Sequence, residues 1–198
     1  MKKDGLLLVI SGPTGAGKDI IINGLLEKDK EICTQVSCTT RSIREDEVEG
    51  EEYKFLSNAE FFKKVDQGAF LEWAEVYGNY YGTPKHEVLK KLKSGKNVLL
   101  EVDPKGAYQI KENYPDAILI FILPSSVEEL KKNILESKKD TPENLLRKFN
   151  SAYEGIQSIS KYNYGVVNTS VEEAVNKIEN IISAEECRVE RVKDITDV

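Results

Sequence analysis

The run Gly12-Pro13-Thr14-Gly15-Ala16-Gly17-Lys18-Asp19 follows the pattern of a phosphate-binding loop, G-x-x-x-x-G-K-[ST], in every position but the last. Glycines in such a loop let successive backbone N–H groups curl around a phosphate, and the lysine reaches the β- and γ-phosphates of a nucleotide. Gly12, Gly17 and Lys18 stand where that chemistry needs them. The last position normally gives Mg2+ a hydroxyl, and here it is Asp19. Two effects oppose each other there. A carboxylate about 4 Å from a phosphate charge is repelled by roughly 4 kcal/mol at an effective dielectric of about 20, and an acid at a helix N-terminus stabilises the empty loop. A carboxylate is also a good Mg2+ ligand, so a metal held between Asp19 and the phosphates cancels the repulsion.

A loop of this kind needs a strand before it and a helix after it. Residues 6–10 are continuously apolar, as in a strand buried on both faces of a parallel sheet, and residues 20–26 suit a helix whose N-terminus points at the phosphates. Residues 34–39 read as a second strand that runs into two cations, Arg41 and Arg44. After a charged stretch, residues 53–56 are followed by a helix starting at Ser57 or Asn58, with Phe61, Phe62 and Val65 on one face and Gly68 at its end. Residues 70–77 alternate in part, and Gly78-Asn79 supplies turn chemistry for a hairpin, which together suggest a small β-rich lobe. A helix is expected over 85–92. Buried strands are expected over 97–103, ending in the carboxylates Glu101 and Asp103, and over 117–123. Helices over 125–136 and 142–159, a strand over 164–168 and a helix over 171–186 complete the chain, followed by a charged tail. Apolar strands alternating with helices give an α/β domain with a parallel sheet, whose ligand lies beyond the carboxyl ends of the strands.

Composition narrows the function classes. The chain has 198 residues, a length suited to one domain, with 40% hydrophobic and 31% charged residues. No apolar run approaches the eighteen or so residues that span a bilayer, so no membrane partner is expected. Met1-Lys2-Lys3-Asp4 leads directly into a strand without a small-residue cleavage site, and a cytoplasmic location is expected. Cys33, Cys38 and Cys187 are odd in number and lack metal-ligand spacing, so they read as thiols. A net charge of -6 argues against a broad nucleic-acid surface while leaving room for a local basic pocket.

Several strings, taken in order, resemble the guanylate kinase family, the P-loop nucleoside monophosphate kinases that move the γ-phosphate of ATP to GMP. They are residues 12–18, Val36-Ser37-Cys38-Thr39-Thr40-Arg41, Glu47-Val48-Glu49-Gly50 with Tyr53, Phe70-Leu71-Glu72-Trp73-Ala74, Gly78-Asn79-Tyr80-Tyr81-Gly82-Thr83-Pro84 and Leu100-Glu101-Val102-Asp103. The match covers nearly the whole chain. The resemblance implies a P-loop three-layer α/β/α fold with a central parallel sheet, formed by residues 1–36, 85–124 and 160–186. It adds a small β-rich GMP-binding lobe at about 37–84, a helical lid at about 125–159 and a charged tail over 187–198.

Carried over position by position, Arg41, Arg44, Tyr53 and Tyr81 resemble the group that holds the GMP phosphate, and Ser37, Glu72, Thr83 and Asp103 the guanine readers. Gly12, Pro13, Thr14, Gly15, Ala16, Gly17, Lys18, Asp19 and Asn168 form the expected ATP site. Lys18, Arg41, Arg44, Arg147 and Lys148 are the expected catalytic cations, and Asp19, Glu101 and Asp103 the expected ligands of Mg2+, directly or through water. The chemistry agrees. Guanine presents N1–H and an exocyclic amine that a carboxylate such as Glu72 accepts from as a pair, whereas adenine offers an acceptor at N1. Two arginine forks and two phenols suit a dianionic monophosphate.

The chain also departs from the family. Ile43 and Asp46 stand where Pro and Gly are usual, and Ser137 and Lys148 where the lid normally supplies arginines, with Arg147 adjacent. Lysine lacks the bidentate fork of arginine, so a weakened or inactive relative that binds GMP or a protein partner is the alternative reading. A kinase for another monophosphate, such as AMP or a pyrimidine nucleotide, is a third.

Overall fold

The structure is a computed structural model and describes residues 4–76, 78–135, 156 and 159–192. Its strands are β1 (Leu7–Ser11), β2 (Ile32–Thr34), β3 (Ser37–Thr39), β4 (Tyr53–Phe55), β5 (Phe70–Val76), β6 (Asn79–Pro84), β7 (Asn97–Glu101), β8 (Ile118–Pro124) and β9 (Tyr164–Asn168). The helices are α1 (Lys18–Lys28), α2 (Asn58–Asp66), α3 (Lys85–Lys93), α4 (Pro104–Asn113), α5 (Val127–Leu135), α6 (Val171–Glu186) and α7 (Val189–Val192).

Five strands form a parallel sheet in the order β2-β7-β1-β8-β9. β1 lies at its centre because its side chains are apolar on both faces. Leu8 and Ile10 pack with Ile21 and Leu25 of α1 and Ile178 and Ile182 of α6, while Leu7 and Val9 face Val88 and Leu92 of α3 and Ala107 and Ile110 of α4. Each fully buried Leu or Ile contributes about 1.5–3 kcal/mol, and truncating Leu8 to Ala costs about 2–5 kcal/mol with the cavity included. The chain leaves β1 for one side of the sheet and returns through β7 to β8 on the other, so the loop after β1 opens into the crevice where strand order reverses.

A second, mixed sheet runs β4-β3-β6-β5, with β3 and β4 parallel and β6 antiparallel to β3 and β5. It has its own core of Cys38, Phe61 and Phe70, with Trp73 and Tyr80 packed against it. The helix α2 on this core opens with a capping box at Ser57 and Glu60.

Three features depart from the sequence reading. Residues 34–39 are two strands in different sheets: Thr34 pairs with Leu99 of the parallel sheet, and Ser37 pairs with Tyr53 of the mixed one. Alternation alone cannot show that the chain changes sheets at Gln35 and Val36. The strand expected over 97–103 stops at Glu101, and Asp103 instead caps α4, accepting from the Gly106 backbone at 2.7 Å with Pro104 at the helix start. Phe62 stays 37% exposed while Phe61 is buried, since adjacent helical residues point about 100° apart. The helix expected over 142–159 falls almost wholly outside the described residues.

Candidate active site: a phosphate loop facing a charged cleft

The P-loop conformation rests on glycine at three points, Gly12, Gly15 and Gly17, all with positive φ. Gly12 has φ 150°, and a Cβ there would meet the Ile122 carbonyl oxygen at 2.5 Å. Gly17 has φ 78° and stands as N-cap of α1, which aims the helix N-terminus into the loop. Two amides brace the loop from outside: Asn168 Nδ2 at the end of β9 donates to Ala16 O at 2.9 Å, and Asn133 Nδ2 on α5 donates to Gly15 O at 2.8 Å. Asn133 has no signature in the sequence, where one Asn in an amphipathic helix carries no signal.

Lys18 Nζ curls back to donate to the Gly12 and Pro13 carbonyls, both at 3.2 Å, and pairs with Glu101 Oε1 at 3.7 Å. Sheet register explains that pair, since Ile10 aligns with Glu101 and the loop begins just beyond. Burial raises the Glu101 carboxyl above its ordinary range, with Lys18 opposing and the Asp19 charge reinforcing. Asp19 is exposed on the first turn of α1. Among the described residues no three His, Cys, Asp or Glu side chains gather as a metal cage. The oxygen donors Asp19 and Glu101 nevertheless fit Mg2+, which keeps several waters and takes one or two carboxylates plus substrate phosphates. Asp103, expected in the same set, uses one oxygen on its helix cap and couples instead to Glu72.

Opposite the loop, a cleft of about 400 Å3 is lined by Gly12, Pro13, Lys18, Tyr53, Glu101 and Asp103. It shares Tyr53 and Glu101 with a neighbouring cleft lined by Gln35, Ser37 and Thr83. The phosphate loop and most of the expected base-reading residues therefore border one continuous space. Behind Thr83, which lines this space, Glu72 is buried and accepts from Thr83 Oγ1 at 2.6 Å. Burial pushes the Glu72 carboxyl up to about 7, the Asp103 charge adding to the effect and the Thr83 hydrogen bond opposing it. The helix α4, absent from the sequence reading, fixes this residue from both sides. Gln109 exchanges two hydrogen bonds with the Trp73 backbone at 3.1 and 3.0 Å, and Asn113 donates to Leu71 O at 2.8 Å. A Cβ on Gly106 would stand 3.0 Å from Glu72 Oε2, so the glycine leaves that oxygen its room.

At the rim, Arg41 lies 5.6 Å from the ring centroids of both Tyr53 and Phe55, and Tyr53 meets Tyr81 edge-on at 5.7 Å. Arg41 forks onto Glu47, Nη2 to Oε1 at 2.6 Å and Nη1 to Oε2 at 2.9 Å, and the Arg44 backbone N–H donates to the same carboxylate at 2.9 Å. The Arg41 pairing holds the Glu47 carboxyl down to about 2. Glu47 carries no signal of its own in the sequence, being one acid in a charged stretch. Arg41, Tyr53 and Tyr81 are thus brought together; Arg44 shares their turn with its side chain exposed. Arg147, Lys148 and Ser137 lie outside the described residues.

A larger cleft, about 560 Å3, lies at the opposite, amino ends of the strands. Its cations are already engaged within it: Arg188 with Glu185, Lys111 with Ala117 O and Arg191 with the Asp4 and Gly5 carbonyls. Size does not mark the site; the phosphate loop does.

A strand, glycine-rich loop and helix at a switch point, facing a separate charged lobe, define a P-loop phosphotransferase. The chain belongs to the guanylate kinase family, whose model matches residues 4–185. It is 54% identical over 194 residues to the guanylate kinase of Clostridium acetobutylicum, covering 98% of this chain and 92% of that one. It is 50% identical to the guanylate kinase of Caldanaerobacter subterraneus, covering 98% and 95%. The crystal structure of guanylate kinase from Anaplasma phagocytophilum superimposes with a TM-score of 0.77 at 33% identity, covering 96% of this chain and 91% of that one.

Proposed function

We propose that this guanylate kinase, an ATP:GMP phosphotransferase giving ADP and GDP, takes up GMP in the cleft between its two sheets and ATP over the loop of residues 12–19. The observation that carries the assignment is Glu72: a buried carboxylate, held by Thr83 of the cleft wall and locked in place by α4, behind a cleft that Lys18 of the phosphate loop also lines. In its ionised form it accepts from guanine N1–H and the N2 amine together, and adenine leaves it unmatched. Ser37, Thr83 and Asp103 complete the base site, and Arg41, Arg44, Tyr53 and Tyr81 receive the phosphate.

Catalysis on this reading is positioning and charge stabilisation, since the GMP phosphate is already an anionic nucleophile. Lys18 leaves the Gly12 and Pro13 carbonyls for the β- and γ-phosphates, and Gly17 and the first turn of α1 offer N–H groups to them. Asp19 and Glu101 would hold Mg2+, which supplies charge neutralisation on the phosphate oxygens. Arg147 and Lys148 are the chain's own candidates for the lid cations. Asn168 and Asn133 act through the loop they brace. The domain division belongs to the same reading, with the GMP-binding lobe at about 37–84 and the lid at about 125–159. So does a cytoplasmic setting, where the free thiols of Cys33, Cys38 and Cys187 stay reduced. No helix among the described residues is long and apolar enough to cross a membrane.

The test is competition at the acceptor site. GMP, but neither AMP nor UMP, should bind in a manner that Glu72→Gln weakens; equal binding of all three would defeat the assignment.

A further inference from the structure

The end-on fork of Arg41 is already taken by the protein itself. A guanidinium has five N–H donors. Arg41 uses two on the Glu47 carboxylate and one on Ser42 O at 2.8 Å, so both donors of Nη1 and one of Nη2 are engaged. The Nη1–Nη2 pair with which an arginine grips a phosphate end-on is therefore the pair that Glu47 holds. The cation lies 5.6 Å from the centroids of Tyr53 and Phe55 with 17% of its side chain exposed, and the Glu47 side chain is 10% exposed. A guanidinium with so little water around it is stabilised by a counter-charge.

We propose that Glu47 is a specificity-determining residue that stands in for the acceptor's phosphate: it pairs with Arg41 until a doubly charged phosphate replaces it, so that the fork is withheld from anything less anionic. The inference rests on the reading that Arg41 receives the GMP phosphate. Charge favours the exchange, because a phosphate dianion brings about twice the charge of a carboxylate and three acceptor oxygens. The displaced carboxylate keeps a local partner in the Arg44 backbone N–H, which holds it at 2.9 Å independently of Arg41. An uncharged nucleoside has no group that can replace Glu47, and it binds through the base site alone.

Calorimetric titration of GMP and guanosine into the wild-type chain, Glu47→Gln, Glu47→Asp and Arg41→Ala separates the possibilities. Glu47→Gln should tighten GMP binding about threefold to tenfold, the value of a partly exposed charge pair, and leave guanosine unchanged. Glu47→Asp keeps the charge but is one methylene short for the two-point pairing, and should move GMP in the same direction. Weaker GMP binding in both Glu47 variants would overturn the proposal, since Glu47 would then be holding Arg41 in position. A gain shared equally by guanosine would overturn it too, because the effect would not pass through the phosphate. Arg41→Ala should weaken GMP; if it leaves GMP unaffected, the placement of the phosphate fails first.

Discussion

The two ends of the active-site crevice are built by different means. At the P-loop end the geometry is made by backbone: three positive-φ glycines, a helix N-terminus and carbonyls steadied by Asn168 and Asn133. At the acceptor end it is made by side chains already paired with one another, Arg41 with Glu47, Tyr53 with Tyr81 and Glu72 with Thr83. On the proposed assignment the loop receives phosphates common to all nucleotides, and backbone N–H groups suffice for that. The cleft then has to tell one base from another, and that needs a donor and acceptor pattern that only side chains carry. The contrast predicts that substitutions at the loop end act on rate, whereas those at the cleft act on which nucleotide is accepted.

The hardest blow to the loop end is Lys18→Ala, which removes the cation proposed for the transferred phosphoryl group. It should lower kcat by about 10²–10³-fold while GMP affinity stays near wild type, checked by steady-state turnover and direct GMP titration. At the cleft end Glu72→Gln should weaken GMP binding by about 1–3 kcal/mol and erode the preference over AMP. Loss of kcat with unaltered selectivity in that variant would erase the distinction between the two ends.

The same carboxyl gives the contrast a pH dependence. Its value rises from an ordinary 4.5 to about 7, so the folded protein favours the neutral acid. Its contribution to stability is complete below about 4.5 and is lost as pH rises to about 7. On the proposed reading GMP is bound by the ionised form, so GMP affinity should rise through pH 7, on top of the phosphate's own ionisation near pH 6. Titrations from pH 5 to 9 should show that the limb near 7 disappears in Glu72→Gln while the lower limb persists.

Smaller effects sharpen the picture. Gln109→Ala should cost about 1 kcal/mol of stability in denaturant unfolding and raise the GMP KM a few-fold, because it frees the backbone beside Glu72 without touching the ligand. Asp19→Ser keeps an oxygen donor for Mg2+ while removing an exposed, screened charge, and should change ATP affinity only a few-fold. A marked loss of turnover would show that Mg2+ requires the carboxylate itself at this position.

Much of the fold was legible because its signals are local. The apolar run before Gly12, the helical spacing of Ala174, Ile178 and Ile182, and the turn at Gly78-Asn79 each announce an element within a few residues. What was missed depends on distant partners. The break at Gln35 follows from which strands lie beside β2 and β3, and nothing in residues 34–39 encodes that. The helix α4 was hidden by Gly106, a poor helix former that is there to make room for Glu72, although Asp103-Pro104 is a legible start signal. Candidate site residues with distinctive chemistry, such as Lys18, Arg41 and Glu72, could be picked out; the residues that hold them, Glu47, Gln109, Asn113 and Asn133, could not. A side chain's role as a brace lies in its neighbour.

The most direct test of the account is an ADP-release assay with ATP and Mg2+, offering GMP or AMP to wild type and to Glu72→Gln. Rapid turnover that depends on GMP, is negligible with AMP, and loses that preference in the variant is the predicted result. Comparable turnover with AMP in the wild type, or no turnover by a folded protein that still binds GMP, would contradict it.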